Sequence, residues 1–184
     1  MLLKNILHQF YDYTDAFHGT NFQALTSIAK HGLQPPGSSA GSEMIAPAPG
    51  HIKRGVTVNG IENWSDAIFV SPSIYYAGHP VYAKVIVNNM NERWIPVIQT
   101  KVKNGTFTRH DHTFGKNNYK VLEDEPTSLE FRVQVKQKDH EDLIIRNENN
   151  KYVKVVAFLL IKEGYLDSHE DYYETTELIL NSKE

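Results

Sequence analysis

Residues 129–135 alternate strictly between apolar and polar side chains, in the order Leu-Glu-Phe-Arg-Val-Gln-Val. This period of two predicts a half-buried β-strand. Similar strand-like runs dominate the last two thirds of the chain. We predict further strands over residues 16–20, 67–71, 81–87, 94–102, 105–112, 143–145 and 152–161. We expect two hairpins. The first joins residues 94–102 and 105–112 through a turn at 103–105, and the second joins residues 143–145 and 152–161.

Signals for helices lie mostly early in the chain. Apolar residues at helical spacing predict a lead-in helix over residues 1–13. Asn21 and Gly32 are placed to cap a helix over residues 22–31. A short helix is expected just after Ser73, and another over residues 172–180.

This order of elements predicts an α+β fold, a mostly antiparallel split sheet with an early helix and a short C-terminal helix. We expect one domain over residues 1–184, with residues 165–184 as an acidic tail. Residues 35–50 are rich in proline, glycine and serine, which predicts a loop. That loop is either a cover over a pocket or a plain surface connection.

Composition excludes several classes of protein. Of the 184 residues, 40% are hydrophobic, enough for one core, and a net charge of −3 gives no reason to expect a nucleic-acid partner. The absence of cysteine excludes disulfides, thiolate nucleophiles and cysteine-based zinc sites. Because no signal-peptide core or membrane-length apolar run is found, we expect a soluble cytoplasmic protein with no membrane partner, or an effector exported by another route.

The first predicted strand ends in His18, Gly19 and Thr20. A glycine lets a ligand approach the backbone closely, so that its N–H and C=O can bind an amide. The imidazole of His18 can form a hydrogen bond with a hydroxyl group. An isolated histidine at a strand end more often has a structural role. The motif therefore fits either a structural role or a ligand-binding role for His18.

Aromatic residues accompany the strand predicted over residues 67–71: Phe69 lies in it, and Tyr75 and Tyr76 follow it. Aromatic residues at this density usually form part of a core, but two aromatic faces can also make a stacking slot for a flat ring. Ser71 or Ser73 would supply a polar group inside such a slot. A planar ring that carries an amide, such as nicotinamide, suits this description.

Three segments together resemble the NAD+ pocket of ADP-ribosyltransferases of the poly-ADP-ribose polymerase and diphtheria-toxin type. They are Phe-His-Gly-Thr at 17–20, His-Gly-Leu at 31–33 and Ala-Ile-Phe-Val-Ser-Pro-Ser-Ile-Tyr-Tyr-Ala at 67–77. The resemblance covers about residues 16–34 and 67–84. It implies NAD+ as the co-substrate, no metal, and the antiparallel split sheet of that family. The rest of the chain matches only as a strand-rich pattern.

The same resemblance implies roles for individual residues. His18 would bind the ribose on the adenosine side, and the backbone of Gly19, followed by Thr20 in the same motif, would hold the nicotinamide amide. Ser71 or Ser73 resembles the serine that binds this amide, and Tyr76 resembles the second stacking tyrosine. Phe69 stands where the family usually has the tyrosine of its His-Tyr-Glu signature, so the ring is kept and the hydroxyl is lost.

This chemistry needs a carboxylate to hold the 2′-hydroxyl of the nicotinamide ribose and to stabilise the positive charge that develops on the sugar. Glu130 begins a clean strand late in the chain, as the glutamate of the family does, and is our candidate. Glu141, which precedes residues 143–145, is the alternative. Either could instead be an ordinary solvent-facing residue.

The predicted activity is mono-ADP-ribosylation of an unidentified acceptor, expected to be a protein. An NAD+ glycohydrolase, with water as the acceptor, and a catalytically inactive module that binds NAD+ or a protein are the alternatives. His110 and His112 could share one face of a strand and bind zinc, although exposed hairpin residues are the simpler interpretation. His79 could lie at the pocket mouth or at a helix end.

Overall fold

The computed structural model describes residues 12–35, 39–40, 43–44, 52, 55–111, 126–134, 152–166 and 176–178. Most of the predicted lead-in helix, the strand at 143–145, Glu141 and His112 lie outside the described residues. Within the described ranges the fold is α+β, with antiparallel strand pairs and two helices. The predicted fold class is therefore confirmed, except for its C-terminal helix.

The larger sheet is built around one long central strand. This strand, β6 (Arg93–Lys103), lies between β1 (Tyr13–Gly19) and β9 (Val153–Lys162). β5 (Ile86–Val87) pairs with the first residues of β6, and β10 (Thr176–Leu178) pairs with β9. All of these pairs are antiparallel.

The smaller sheet has the strand order β4 (Ile68–Val70), β8 (Glu130–Val133) and β7 (Phe107–His110). An isolated bridge joins it to the larger sheet: Phe17 of β1 and Ser71, just after β4, each donate a backbone N–H to the other's carbonyl, at 2.6 and 2.8 Å. Because the pairing is limited to this bridge, the combined sheet is split beside the end of β1.

Two further strands lie within the segment predicted as a loop over residues 35–50. They are β2 (Ser39–Ala40) and β3 (Glu43–Met44), which pair with each other in antiparallel fashion. The described part of this segment therefore holds a two-stranded pair, and the rest of it lies outside the described residues.

Helix α1 (Phe22–His31) has the caps that the sequence predicts. The side chain of Asn21 accepts a hydrogen bond from the backbone N–H of Ala24 at 2.8 Å, which satisfies one of the unpaired donors of the first turn. Gly32 follows the last turn with φ 69°, a conformation that favours glycine.

Helix α2 (Ile74–Gly78) occupies the predicted position after the second strand. Its N-cap is Ser73, whose Oγ accepts a hydrogen bond from the backbone N–H of Tyr76 at 3.1 Å. The helix lies against the end of β1 and against β6. It therefore carries its tyrosines to the place where the sheet splits.

Buried apolar residues form two clusters on opposite faces of the larger sheet. Since β6 contributes to both, its residues 95–98 are buried in succession rather than alternately. The first cluster joins the two sheets, with α1 packed against it, and contains Ala16, Leu33, Ile68, Val70, Ile98, Val102, Phe131, Val133 and Val153. The second lies on the side of α2 and contains Ala77, Ala83, Ile95, Val97, Ala157, Leu159 and Ile161.

The hairpin predicted for residues 94–102 and 105–112 is wrong. The turn exists, with Gly105 at φ 79° and a bond from Thr106 N–H to the Lys103 carbonyl, but β7 pairs with β8 in the smaller sheet. The physical reason is that both edges of β6 are already occupied at this end. Lys103 pairs with Tyr13 of β1, and Val102 pairs with Val153 of β9.

The short helix predicted over residues 172–180 is also wrong where the structure describes it. Residues Thr176–Leu178 form β10 instead, with Thr176 opposite Leu160 of β9. An unpaired strand edge leaves backbone donors and acceptors without partners, and a third strand beside β9 satisfies them. Pairing of this kind depends on tertiary context, which outweighs the local helical preference.

Two strand predictions need adjustment. Of residues 81–87, only Ile86–Val87 is a strand, because residues 79–83 form a turn in which the N–H groups of Tyr82 and Ala83 donate to the carbonyl of His79.

The strand predicted as half-buried is buried on both faces over Glu130–Val133. Its polar face is covered by side chains from other elements, as the next subsection describes.

Candidate functional site

Glu130 is the first residue of β8, and only 4% of its surface is exposed. Its Oε1 accepts hydrogen bonds from two phenol hydroxyls, that of Tyr76 and that of Tyr82, the latter at 3.0 Å. Hydrogen bonds to an ionised group are stronger than those between neutral groups. The two tyrosines therefore hold one oxygen of this buried carboxylate in a fixed position.

The two tyrosines come from consecutive segments of the chain. Tyr76 is in α2 and Tyr82 in the turn that follows, and their ring centroids lie 5.3 Å apart, with the planes inclined by 54°. Burial and the adjacent Glu130 carboxylate raise the pKa of Tyr76 far above that of a free phenol. Tyr76 is therefore a hydrogen-bond donor at neutral pH.

Gly19, the last residue of β1, packs directly against this tyrosine segment. A Cβ atom at this position would clash with the carbonyl oxygen of Ala77 and would lie 2.8 Å from Cβ of Tyr82. The close approach of α2 and the following turn therefore requires a glycine. Tyr82 contacts Gly19 at its Cβ and Glu130 at its hydroxyl, so its side chain links the end of β1 to the Glu130 carboxylate.

His18 lies where the sheet splits. Its Nδ1 is 2.8 Å from the backbone carbonyl oxygen of Phe69, so the imidazole contacts β4 directly. Backbone polar groups of alternate residues in a strand point to the same edge. Because Phe17 directs its N–H and C=O to Ser71, those of Gly19 point to the same edge, beyond the isolated bridge.

Thr20, Ser71 and Ser73 are buried around this edge. Thr20 donates its N–H to the Pro96 carbonyl at 3.3 Å and accepts one from Lys84 at 2.9 Å, which ties the turn after α2 to the end of β1. Ser71 Oγ accepts a hydrogen bond from the backbone N–H of Ser73 at 3.0 Å. The two serines thereby fix the chain between β4 and α2.

Phe69 is half-buried in β4, and its ring lies 5.6 Å from that of Trp64. The position of Trp64 is fixed by Arg132 of β8, whose Nε donates to the Trp64 carbonyl at 2.9 Å and whose guanidinium lies 5.4 Å from the ring centre. Arg132 is 3% exposed, and burial lowers its pKa. Trp64 therefore covers Arg132 on the polar face of β8, two residues from Glu130.

His110 of β7 is the residue directly opposite Glu130 in the antiparallel pair of β7 and β8. Residues opposite each other in a sheet carry their side chains on the same face. The His110 ring meets the Trp64 ring edge-on at 4.6 Å. Burial lowers the pKa of His110, and the charge of Glu130 opposes that change.

Within the described ranges, the structure places several of the candidate residues in direct contact with one another or with a neighbouring element. Tyr76 and Glu130 are in hydrogen-bond contact, Gly19 contacts the α2 backbone, and His18 contacts that of Phe69. Glu141, the alternative carboxylate, lies outside the described residues.

Sequence reasoning missed Tyr82. Its only signal was its place in the resembling stretch 67–84, where no role attaches to it. Its contact with Glu130 spans 48 positions in the chain, so local pattern could not find it.

No group of three or more histidine, aspartate or glutamate residues placed to bind a metal is found in the described ranges. His112, the second residue of the zinc hypothesis, lies outside the described residues. Among the described helices, none is long and apolar enough to cross a membrane.

Comparison of the chain with models of known protein families, with curated proteins and with solved structures finds no match.

Proposed function

We propose that the chain is an NAD+-dependent mono-ADP-ribosyltransferase, which cleaves the bond between nicotinamide and ribose and transfers ADP-ribose to an acceptor, most simply a protein. One observation carries this proposal. Gly19 and the buried Glu130 carboxylate, which come from distant parts of the chain, both contact the side chain of Tyr82 beside the split in the sheet. Nicotinamide with its ribose is an elongated group that needs partners at both ends.

The backbone of Gly19 suits the amide end of nicotinamide. Its N–H and C=O point to the edge where pairing with β4 is limited to the bridge at Phe17, and these two groups complement the C=O and NH2 of a primary amide. The absence of a side chain at Gly19 permits the close packing of α2 behind it. His18, the neighbouring residue, is the candidate for the ribose on the adenosine side.

The Glu130 carboxylate suits the ribose end. Tyr76 and Tyr82 both donate to Oε1 and hold the carboxylate at the start of β8. A carboxylate that accepts the 2′-hydroxyl of the ribose places a negative charge beside the sugar carbon that becomes positive as the bond breaks. In a buried site this attraction is stronger than in water, and the fixed tyrosines reduce the reorganisation that it requires.

The reaction itself balances without a redox partner. The carbon–nitrogen bond between ribose and nicotinamide breaks, and its electron pair leaves with neutral nicotinamide. The acceptor then forms a bond to the same sugar carbon and loses a proton. No general acid is needed for the leaving group, because the pyridinium nitrogen becomes neutral when it departs.

A labelled-substrate experiment tests the proposal. The protein is incubated with NAD+ that carries a label in its adenosine half, and released nicotinamide, free ADP-ribose and protein-bound label are measured together. Transferase activity predicts release of nicotinamide in excess of free ADP-ribose, with the difference bound covalently to protein. Equal amounts of the two products would indicate a glycohydrolase. Binding of NAD+ without release would indicate an inactive module, and neither binding nor release would overturn the proposal.

A further inference from the structure

His110 and Glu130 lie directly opposite each other in the antiparallel pair of β7 and β8. Opposite residues of such a pair carry their Cβ atoms on one face of the sheet, about 4.5–5.5 Å apart. The imidazole of His110 can therefore reach a group that is bound beside the Glu130 carboxylate. The resemblance to ADP-ribosyltransferases assigns no role to this position.

The face that His110 and Glu130 share is the polar face of the smaller sheet. Thr108 and Arg132 are opposite each other in the same register, two residues away, and so they lie on this face as well. The other face of the sheet packs into the first apolar cluster. The Trp64 ring, held by Arg132, meets the His110 ring edge-on at 4.6 Å. This contact fixes the orientation of the imidazole on the polar face.

The order of the strands shows on which side of Glu130 the histidine lies. The bridge at Phe17 places β1 beside β4, and the smaller sheet continues from β4 through β8 to β7. Across the combined sheet, Gly19 at the end of β1 therefore comes first, Glu130 follows, and His110 lies beyond it. With nicotinamide at Gly19 and its ribose at Glu130, His110 is on the far side of the ribose from the leaving group.

An acceptor needs this far side. When a bond to a sugar carbon is exchanged in one displacement, the incoming group approaches from the face opposite to the leaving group. In the described ranges β7 is the last strand of the smaller sheet, His110 is half-buried and Thr108 is exposed. A group from another molecule can thus reach His110 from the outer edge of the sheet.

The imidazole is arranged to accept a proton. Its Nε2 lies 2.7 Å from Oγ1 of Thr108. When Nε2 carries the ring proton and donates it to Thr108, Nδ1 keeps a lone pair. Burial and the charge of Arg132 lower the pKa of His110, and the charges of Glu130 and Asp111 oppose this, with a net pKa below that of free histidine. The ring is therefore mainly neutral at neutral pH.

We propose that His110 is the base that accepts the proton of the acceptor, and that this acceptor is an aliphatic hydroxyl group such as that of a serine side chain. The inference rests on the proposed function and adds a catalytic residue and an acceptor class to it. A hydroxyl group is a weak nucleophile until a neighbouring base removes its proton. A carboxylate acceptor has no proton to lose, so a base at this position favours a hydroxyl.

The step balances without a further reactant. The acceptor oxygen forms a bond to the sugar carbon, its O–H bond breaks, and the proton moves to Nδ1 of His110. The carbon–nitrogen bond to nicotinamide breaks at the same carbon, and its electron pair leaves with the neutral ring. His110 then passes the proton to solvent, while Glu130 stays ionised throughout and holds the ribose.

A competition between two small acceptors tests the proposal. NAD+ is cleaved in the presence of methanol, which loses a proton when it attacks, and of azide, an anion that has no proton to lose. Methyl ADP-ribose and ADP-ribosyl azide are then measured together. Their ratio does not depend on how much of a variant is folded. EDTA in every assay removes any zinc bound at His110.

The substitutions change the base or its partner. In His110→Ala we expect the ratio of methyl to azide product to fall about 100-fold, while azide product forms within about threefold of the wild-type rate. Added imidazole should raise the ratio in this variant and not in the wild type. Thr108→Val, at an exposed position, should lower the ratio about 3- to 10-fold. Arg109→Gln is the control and should not change it, because Arg109 lies on the other face, 5.4 Å from the Phe131 ring centre.

The outcomes separate this inference from the proposed function. If the wild type releases nicotinamide but does not form both products, or if the ratio in His110→Ala equals that of the wild type, the inference is wrong and the function stands. A parallel loss of both products in His110→Ala would show a structural role and would also overturn it. If His110→Ala does not fold, an unchanged ratio in Thr108→Val decides against the inference. If the folded wild type releases no nicotinamide, the proposed function fails, and the inference fails with it.

Discussion

The hydroxyl of Tyr76 donates a hydrogen bond to Oε1 of Glu130, across 54 positions of the chain. The bond joins α2 to the first residue of β8, and so it links the helix at the split to the smaller sheet. Both partners are almost completely buried. Removal of the donor leaves a buried carboxylate with one hydrogen bond fewer, which should cost both stability and the fixed position of the carboxylate.

Tyr76→Phe tests the energetic value of this bond. We expect a loss of about 1.5–3 kcal/mol in the free energy of unfolding, because a hydrogen bond to a charged group is lost without a large change in volume. Urea denaturation of the variant and the wild type measures the difference. Tyr165→Phe is the control, and equal losses in the two variants would show that the contact with Glu130 contributes nothing specific.

Gly19→Ala tests the close packing of α2 against the end of β1. Because the new methyl group would meet the Ala77 backbone, we expect a loss of at least about 2 kcal/mol in unfolding free energy. At Gly105 a Cβ would meet no atom within 4 Å, so Gly105→Ala should cost only the strain of its φ of +79°, about 1–2 kcal/mol. Thermal or urea unfolding compares the two. A smaller loss at Gly19 than at Gly105 would contradict the packing described here.

Arg132→Lys tests the support beneath Trp64. Lysine cannot reproduce the two bonds that the guanidinium donates to the carbonyls of Trp64 and Asn63, at 2.9 and 3.2 Å. We expect a loss of about 2–3 kcal/mol and faster amide exchange at Trp64 and its neighbours. Arg109→Lys, at an exposed arginine on the adjacent strand, should cost no more than about 0.5 kcal/mol. Unchanged exchange in Arg132→Lys would refute the anchoring role.

His110 reports on the charge of Glu130. Burial lowers its pKa below 6.5 and the Glu130 carboxylate raises it, so Glu130→Gln should lower it further. Titration of the His110 ring by NMR measures both values. An unchanged or higher pKa in the variant would show that the two side chains do not interact.

The same shift has a consequence for stability. Since the folded-state pKa of His110 is depressed, the unfolded chain binds a proton first as the pH falls below 6.5. Protonation of His110 should therefore destabilise the fold as the pH decreases through that range, and His110→Asn should remove this part of the pH dependence. Urea denaturation of both proteins at several pH values between 7 and 5 tests the sign. A wild type that gains stability relative to His110→Asn at the lower pH would contradict it.

The parts of the fold that depend on local chemistry were predictable from the sequence. Helix α1 begins at Phe22 and ends at His31 because Asn21 caps its first turn and Gly32 ends it, and both signals are within a few residues of the element. The buried strand that begins with Glu130 was predictable as a strand for the same reason. Its alternation, however, indicated a half-exposed strand. No signal in the neighbouring sequence shows that Trp64 covers Arg132 and that two tyrosines cover Glu130.

Strand pairing was less predictable. The turn at Gly105 gives the same local signal whether β7 folds back on β6 or crosses to the other sheet. The choice is decided by β1 and β9, which occupy both edges of β6 and whose residues lie far away in sequence. Tyr82 was missed for a similar reason. It lay inside a predicted strand, and its contacts with Gly19 and Glu130 exist only in the folded chain.

The rate of nicotinamide release by Glu130→Gln tests most directly whether the Glu130 carboxylate acts on NAD+. We expect release at least about 100-fold slower than in the wild type, with a Kd for NAD+ that changes less than about threefold, because the amide keeps the shape of the side chain and removes its charge. Glu163→Gln, at an exposed glutamate paired with Arg93, is the control and should release nicotinamide at the wild-type rate. A folded Glu130→Gln protein that releases nicotinamide as fast as the wild type would contradict the account.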